Sequence, residues 1–142
     1  METEPQIIDT YVVPGDVKLV YRHLLQLGDL TERAAIASEC AAEQGQFWKF
    51  RTALYRLQQT LYGTGALDTI LTDIAADTGL DRDLFITCLA NDTYVEAVRS
   101  DFAAARREGV QSRPVFDING QRLVGAQSID VFTQIIEEEL AK

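Results

Sequence analysis

Gly109-Val-Gln-Ser-Arg-Pro-Val-Phe-Asp-Ile-Asn-Gly120, followed by Gln121-Arg-Leu-Val124, is where the hydrophobic period of the chain switches from about 3.6 to two. Apolar and polar residues alternate on both sides of Asn119-Gly120. That dipeptide supplies the two positive φ angles of a type I′ turn, so the stretch predicts a β-hairpin. Ser128 then stands where a last helix would be capped, and Ile129, Phe132, Ile135, Ile136 and Leu140 form the buried stripe of that helix. Its end carries Glu137-Glu-Glu139, a charge run that opposes the helix dipole and reads as a solvated face.

Upstream of the hairpin, everything from Leu30 to Glu108 is helical in period. Asp29-Leu-Thr-Glu32 has capping-box spacing with Asp29 in the cap role, and the next helix carries Phe47, Phe50, Leu54, Leu57 and Leu61 at steps of three and four. Tyr62-Gly-Thr-Gly65 breaks it; without the lysine and further glycines of a phosphate loop, this is a turn. A third helix places Leu67, Ile70, Leu71 and Ile74 on one face and stops at Gly79. Asp81 caps a fourth, with Leu84, Phe85, Cys88 and Leu89 inward. A fifth, from about Asp92 to Glu108, presents Tyr94, Val95, Val98 and Phe102. Ahead of this block, Val17-Lys-Leu-Val-Tyr-Arg22 is a β-branched run after the Val13-Pro14-Gly15-Asp16 turn and reads as a strand. A short helix from Glu4 to Tyr11, with Thr3 as its cap, precedes the turn. Helix, strand, five helices, hairpin and helix make an α/β or α+β sandwich with a helical insertion.

The 142 residues are one domain's length, and 46% hydrophobic with 25% charged residues describe an ordinary globule, which excludes disordered, collagenous and disulfide-dense classes. With 13 basic residues against 22 acidic and a net charge of −9, a phosphate-backbone partner is not expected. The single histidine, His23, and the two cysteines, Cys40 and Cys88, have no paired metal-ligand spacing, so no metal site is expected. No run approaches the ~20 apolar residues of a membrane span. Met1-Glu-Thr-Glu-Pro5 is acidic where a secretory signal would be basic and then apolar, so as written the chain starts inside its folded region or in the cytosol.

Glu39-Cys-Ala-Ala-Glu-Gln-Gly-Gln-Phe-Trp48, Phe85-Ile-Thr-Cys-Leu89, the Gly109–Gly120 stretch and Leu123-Val-Gly-Ala-Gln127 together resemble the DsbA-like thiol:disulfide oxidoreductases. The resemblance covers nearly the whole chain in the right order. It implies a single α/β domain over residues 1–142, thioredoxin-like over 1–28 and 110–142, with an all-helical insertion over 29–109. It further implies disulfide formation or exchange in protein or peptide substrates, no cofactor, and an extracytoplasmic place of work. The family's catalytic Cys-x-x-Cys follows its first strand, and neither is found here. Glu2-Thr-Glu-Pro-Gln-Ile-Ile-Asp-Thr-Tyr11 looks like the tail of the family's first helix. The expected fold is therefore a thioredoxin-like sheet lacking its first strand, and no residue is assigned a catalytic role. Two apolar strands would then face a gap, with three outcomes: direct closure, completion by a second chain as a homodimer or strand-exchanged assembly, or a missing start of a longer protein.

The resemblance also gives the loop Ser112-Arg113-Pro114 a role. In the family the corresponding proline is cis, and the residue before it offers main-chain hydrogen bonds to a substrate peptide. Spacing alone reads Pro114 as a trans proline that starts a strand. Arg113 departs from the small or β-branched residue usual there, which suggests an anionic or acidic-peptide partner. Cys40 and Cys88 each lie on an apolar helix stripe and read either as small buried hydrophobes or as a bridged pair; some family members carry a second bridge at matching positions. His23, at a strand end, reads as a surface histidine rather than a general base. Asp117, alternating with Phe116 and Ile118, reads as a solvated or edge carboxylate rather than a buried one. Two functions follow: a disulfide oxidoreductase family protein that is redox-inactive as given, or a redox-inert peptide- or protein-binding module. A glutathione-using relative is a weaker third, with no glutathione site located.

Overall fold

The hairpin forms as the Asn-Gly signal requires. In the computed structural model, which describes residues 3–26, 28–63 and 65–142, β1 (Val115–Ile118) pairs antiparallel with β2 (Gln121–Val124), Val115 opposite Val124 and Ile118 opposite Gln121. Asn119 and Gly120 hold φ of 49° and 93°, and the Asp117 carboxylate accepts from the Gly120 N–H at 2.8 Å, closing the turn. Around the hairpin the elements run α1 (Thr3–Ile7) with a π-helical continuation Ile8–Val12, α2 (Asp29–Glu43), α3 (Phe47–Arg56), α4 (Gln58–Gly63), α5 (Leu67–Asp77), α6 (Arg82–Ala90), α7 (Val95–Arg107) and, after the hairpin, α8 (Ile129–Leu140). The chain divides into two compact units, one made of the residues up to Tyr21 with Arg106–Lys142, the other of Arg22–Ala105.

In the first unit, α8 lays Phe132 and Ile136 against Ile7 and Tyr11, and Val17, Phe116, Ile118, Leu123 and Ile129 close over them. Phe116 and Phe132 meet edge to face at 4.8 Å. Polar ties run round this small core: Tyr11 Oη donates to Glu137 at 2.9 Å, Gln121 Nε2 to Glu139 at 2.6 Å, and Thr3 Oγ1 to the Gln127 carbonyl at 3.3 Å. Glu139, bonded also to Lys142 and Asn119, is half-buried, so the acidic run of α8 is not wholly a solvated face.

The second unit is all helical. Phe50, Phe85, Leu71, Ile74, Val98 and Cys40 are its fully buried side chains, and the alanines of α2 (Ala35, Ala37, Ala41) let neighbouring helices approach closely. Asp81 caps α6, its carboxylate accepting from the N–H groups of Asp83 and Leu84 at 3.0 Å each. Gln44, at the end of α2, holds the same residue by a reciprocal pair, donating to the Asp81 carbonyl and accepting from its N–H at 3.2 and 2.7 Å.

Four local expectations are corrected. Residues 17–22 form no strand; burial alternates along Val17–Tyr21 as it would in one, but a strand is defined by pairing, and no neighbour supplies a ladder. Gly28 (φ 71°), not Asp29, is the N-cap of α2: its carbonyl accepts from Thr31 and Glu32, which moves Asp29 into the first turn, where its charge suits the dipole. The helix expected over Phe47–Leu61 breaks after Arg56 into α3 and α4; Leu57 is left 39% exposed while Leu61 is buried. Ser128 occupies the N-cap of α8 but its side chain makes no cap bond.

Candidate functional site

Ser112, Arg113 and Pro114 lie in the first unit, in the exposed loop that leads from α7 into β1. The Arg113–Pro114 peptide bond is cis. The Pro114 carbonyl accepts from Gly125 N–H at 2.9 Å, which extends the β1–β2 ladder one pair beyond the strands and anchors the loop to the hairpin. Arg113 is exposed, and no ion pair engages it among the described residues. The hairpin thus presents a fixed stretch of main chain beside a solvated positive charge. Asp117, in β1, is exposed, as an edge position requires, and its carboxylate serves the turn.

Cys40 of α2 and Cys88 of α6 lie in the helical unit and are joined as a disulfide, Cα–Cα 5.8 Å, across 48 positions of chain. They are 0% and 6% exposed, inside the core of Phe50, Phe85 and Val98. No free cysteine exists, so the 142 residues offer no thiolate in this state. A second fastening lies beside it: Arg33 of α2 grips both oxygens of Asp68 (2.9 and 3.0 Å) and reaches the Leu89 carbonyl at 2.7 Å and Asp92 at 3.1 Å. The Arg33 guanidinium holds the Asp68 carboxyl below the usual carboxylate range. Arg33 and Arg99 border a shallow basin floored by Ile36, Leu67 and Val95, but both are already spent on carboxylates, Arg99 on Glu32 at 2.7 Å.

His23 is not a surface residue: it is 6% exposed, a correction that follows from what flanks it. Its Nε2 lies 2.7 Å from Glu39 Oε1, and since a carboxylate only accepts, the ring nitrogen donates. Its backbone N–H donates to Asp101 at 3.2 Å, Arg22 pairs with the other oxygen of Asp101 at 2.8 Å, and the ring edge faces Phe47. The Arg22-His23 dipeptide therefore pins the irregular segment to α2 and α7 of its own unit. Glu39 and Asp101 were not singled out from the sequence: their partners are 16 and 78 positions away, beyond any local spacing rule.

One turn beyond Glu39, Glu43 accepts from Tyr94 Oη at 2.7 Å. That bond, burial, and the charges of Glu43 and Glu39 push the Tyr94 phenol up to about 12. A pKa raised on folding contributes stability that is complete below the ordinary value near 10 and is lost as pH climbs through about 12. In an alkaline titration followed at the tyrosinate absorbance, one tyrosine is expected to ionise last. Glu43→Gln should bring that step back toward pH 10; an unchanged step would show that burial, not Glu43, sets it.

Among the described residues no cluster of three or more His, Cys, Asp or Glu could hold a metal ion, and no helix is long and apolar enough to cross a membrane.

Comparison with known proteins places this geometry. A family model described as Thioredoxin matches residues 1–138. The Na(+)/H(+) antiporter NhaA of Herminiimonas arsenicoxydans is 34% identical over 124 residues, 86% of this chain but 19% of the antiporter. The Na(+)/H(+) antiporter NhaA 3 of Salinispora tropica is 30% identical over 99% of this chain and 21% of its own length. Disulfide bond formation protein D of Bacillus subtilis is 24% identical over 96% of this chain and 63% of its own. The chain thus spans about a fifth of the antiporters it matches. The crystal structure of oxidised BdbD from Bacillus subtilis superimposes with a TM-score of 0.77 at 21% identity, covering 97% of this chain and 76% of that one, which shows a thioredoxin-like fold with a small sheet and a large helical share. The chain belongs to the thioredoxin family, in its DsbA-like branch.

Proposed function

We propose that this chain is a polypeptide-binding, redox-silent member of the DsbA-like family that works in an extracytoplasmic compartment. The observation that carries the reading is the state of its sulfur: the only two cysteines, Cys40 and Cys88, are bridged to each other inside the helical core, and the 142 residues contain no Cys-x-x-Cys. Thiol–disulfide exchange needs an accessible thiolate of lowered pKa, and a buried bridge presents neither an attacking nor an attackable sulfur. What these residues keep for function is the exposed main chain of Ser112 and Arg113 beside Pro114, with the Arg113 cation as its charge signature. A structural disulfide fits an oxidising compartment, which supports the extracytoplasmic reading. The stretch shared with the antiporters is about one fifth of their length, and in this chain it falls almost entirely within the residues that match the Thioredoxin model.

The test is insulin reduction by dithiothreitol, followed as turbidity. The chain is expected to leave the uncatalysed rate unchanged. Acceleration that disappears in a Cys40→Ala/Cys88→Ala variant would overturn the redox-silent reading and make the core bridge the reactive pair.

A further inference from the structure

Between Glu43 and Asp68 the chain carries Lys49, Arg51 and Arg56 and no acidic residue; the other ten basic residues share the rest of the chain with all 22 acidic ones. All three cations lie on α3. The inward side of that helix is set by Phe50, fully buried, with Ala53 and Leu54 packed against the same core. At about 100° per residue this leaves Trp48, Thr52 and Tyr55 along the outward stripe, with Arg51 on one flank and Lys49 and Arg56 on the other. Trp48 and Tyr55 are 42% and 38% exposed. The Arg51 guanidinium lies over both rings, 5.5 Å from the centre of Trp48 and 4.7 Å from that of Tyr55, and Phe47 meets Trp48 edge to face at 5.2 Å. No carboxylate engages Lys49 or Arg56 among the described residues.

Single exposed apolar residues are ordinary on a protein surface and need no explanation. Here two large rings are held by a shared cation, so little side-chain freedom is left to lose when another molecule settles on them. Tryptophan, tyrosine and arginine are also the residues that carry most of the binding energy at protein interfaces. Charge decides which partner fits. Lys49 and Arg56 stand seven residues apart, about 10 Å along the helix axis, and are complementary to carboxylates that flank an apolar side chain. We propose that the outward face of α3 docks an acidic polypeptide segment of another protein, its carboxylates on Lys49 and Arg56 and its apolar side chain against Trp48 and Tyr55. This face lies in the helical unit, and its use does not depend on the reading of the Ser112–Pro114 loop. A narrow segment suits it better than an anionic bilayer does. A helix of ten residues is about 15 Å long, and a plane laid over it would also confront the exposed Glu43 and Asp68 that bracket the cationic stretch.

Trp48 is the single tryptophan of the chain, so its emission reports on this face directly. The probe is the peptide Glu-Glu-Leu-Phe-Leu-Glu-Glu with blocked ends, which has no tryptophan or tyrosine of its own, titrated into the full chain. Docking predicts a saturable blue shift of the Trp48 emission. The affinity should weaken roughly fivefold or more when glutamine replaces every glutamate of the peptide, and likewise in Lys49→Gln/Arg56→Gln, as the loss of two exposed ion pairs allows. If that variant loses its helical circular dichroism, the two peptides decide the matter on the unaltered chain. Absence of a saturable shift, or equal affinity for the two peptides, overturns the proposal. Binding lost in Arg113→Ala but kept in Lys49→Gln/Arg56→Gln overturns the α3 site, gives the peptide to the Ser112–Pro114 loop and leaves the polypeptide-binding reading standing. Vesicles of equal parts phosphatidylserine and phosphatidylcholine are titrated in parallel; a shift with vesicles and none with the peptide overturns the proposal by giving the face to a bilayer. A concentration-dependent dimer in sedimentation that Lys49→Gln/Arg56→Gln dissolves also overturns it, by giving the face to a second copy of the chain.

Discussion

Replacing Cys40 and Cys88 together by alanine is expected to destabilise the helical unit by about 4 kcal/mol, seen in calorimetry as a fall in melting temperature on the order of 20 °C. The magnitude comes from the loop: the bridge closes 48 positions of chain, and a cross-link of that span removes about 4 kcal/mol worth of freedom from the unfolded state in the chain-entropy model. Two further considerations push the same way. Both cysteines lie within the core of Phe50, Phe85, Leu71 and Val98, so alanine leaves unfilled space where sulfur packed. The bridge also joins α2 to α6, elements that otherwise meet through side-chain packing, the Arg33 bond to the Leu89 carbonyl and the Gln44–Asp81 pair at their ends. Reductant alone should act slowly on the unaltered chain, because attack requires the core to open first. A loss below about 1 kcal/mol would mean that the Arg33–Asp68–Asp92 network and the apolar core hold α2 and α6 together without the covalent tie.

The readable parts of this fold are those with local grammar. Asn119-Gly120 announced the hairpin because the turn needs two positive φ angles, and both are present. Asp81 announced the start of α6 because a carboxylate two and three residues ahead of orphan N–H groups has a short-range use. Where the outcome depended on a distant partner, the sequence was silent or misleading. Val17–Arg22 has the composition of a strand and Val17–Tyr21 its burial rhythm, yet alternation reports only which side faces the core; pairing depends on a partner strand that no local pattern reports. His23 looked like a surface residue because nothing beside it explains a buried ring; Glu39 and Asp101, which satisfy it, are contributed by two separate helices. Gly28 took the cap that Asp29 had been expected to supply, because a glycine at φ 71° lets the chain turn into the helix one residue earlier. The site divides in the same way: the Ser112–Pro114 loop follows from resemblance, while the outward face of α3, with Trp48 and Tyr55 on it, emerges only from the structure.

Phe132→Ala should produce the other large effect, and in the other unit. The core there is small: Ile7, Tyr11, Phe132 and Ile136 are its buried residues, and Phe132 is the side chain on which Phe116 of β1 stands edge-on at 4.8 Å. Truncating a buried phenylalanine costs about 3–5 kcal/mol, the transfer term plus the cavity it leaves. Few neighbours are available to collapse into that cavity, since Val17, Ile118, Leu123 and Ile129 are already only partly buried at its rim. The ties that remain, Tyr11 to Glu137 and Gln121 to Glu139, are partly solvated and worth about 1 kcal/mol apiece, so they offset little of the loss. Amide hydrogen exchange is the measurement that resolves the units. Amides of β1, β2 and α8 should exchange roughly a hundredfold faster or more, while those of α2, α5 and α6 keep their protection, because local opening follows cooperative units. Phe132→Leu, which keeps most of the volume, should show a fraction of the effect. Equal acceleration in both units would mean that they unfold as one body, and acceleration under tenfold would mean that α8 is held to the hairpin by its polar ties rather than by the aromatic pair.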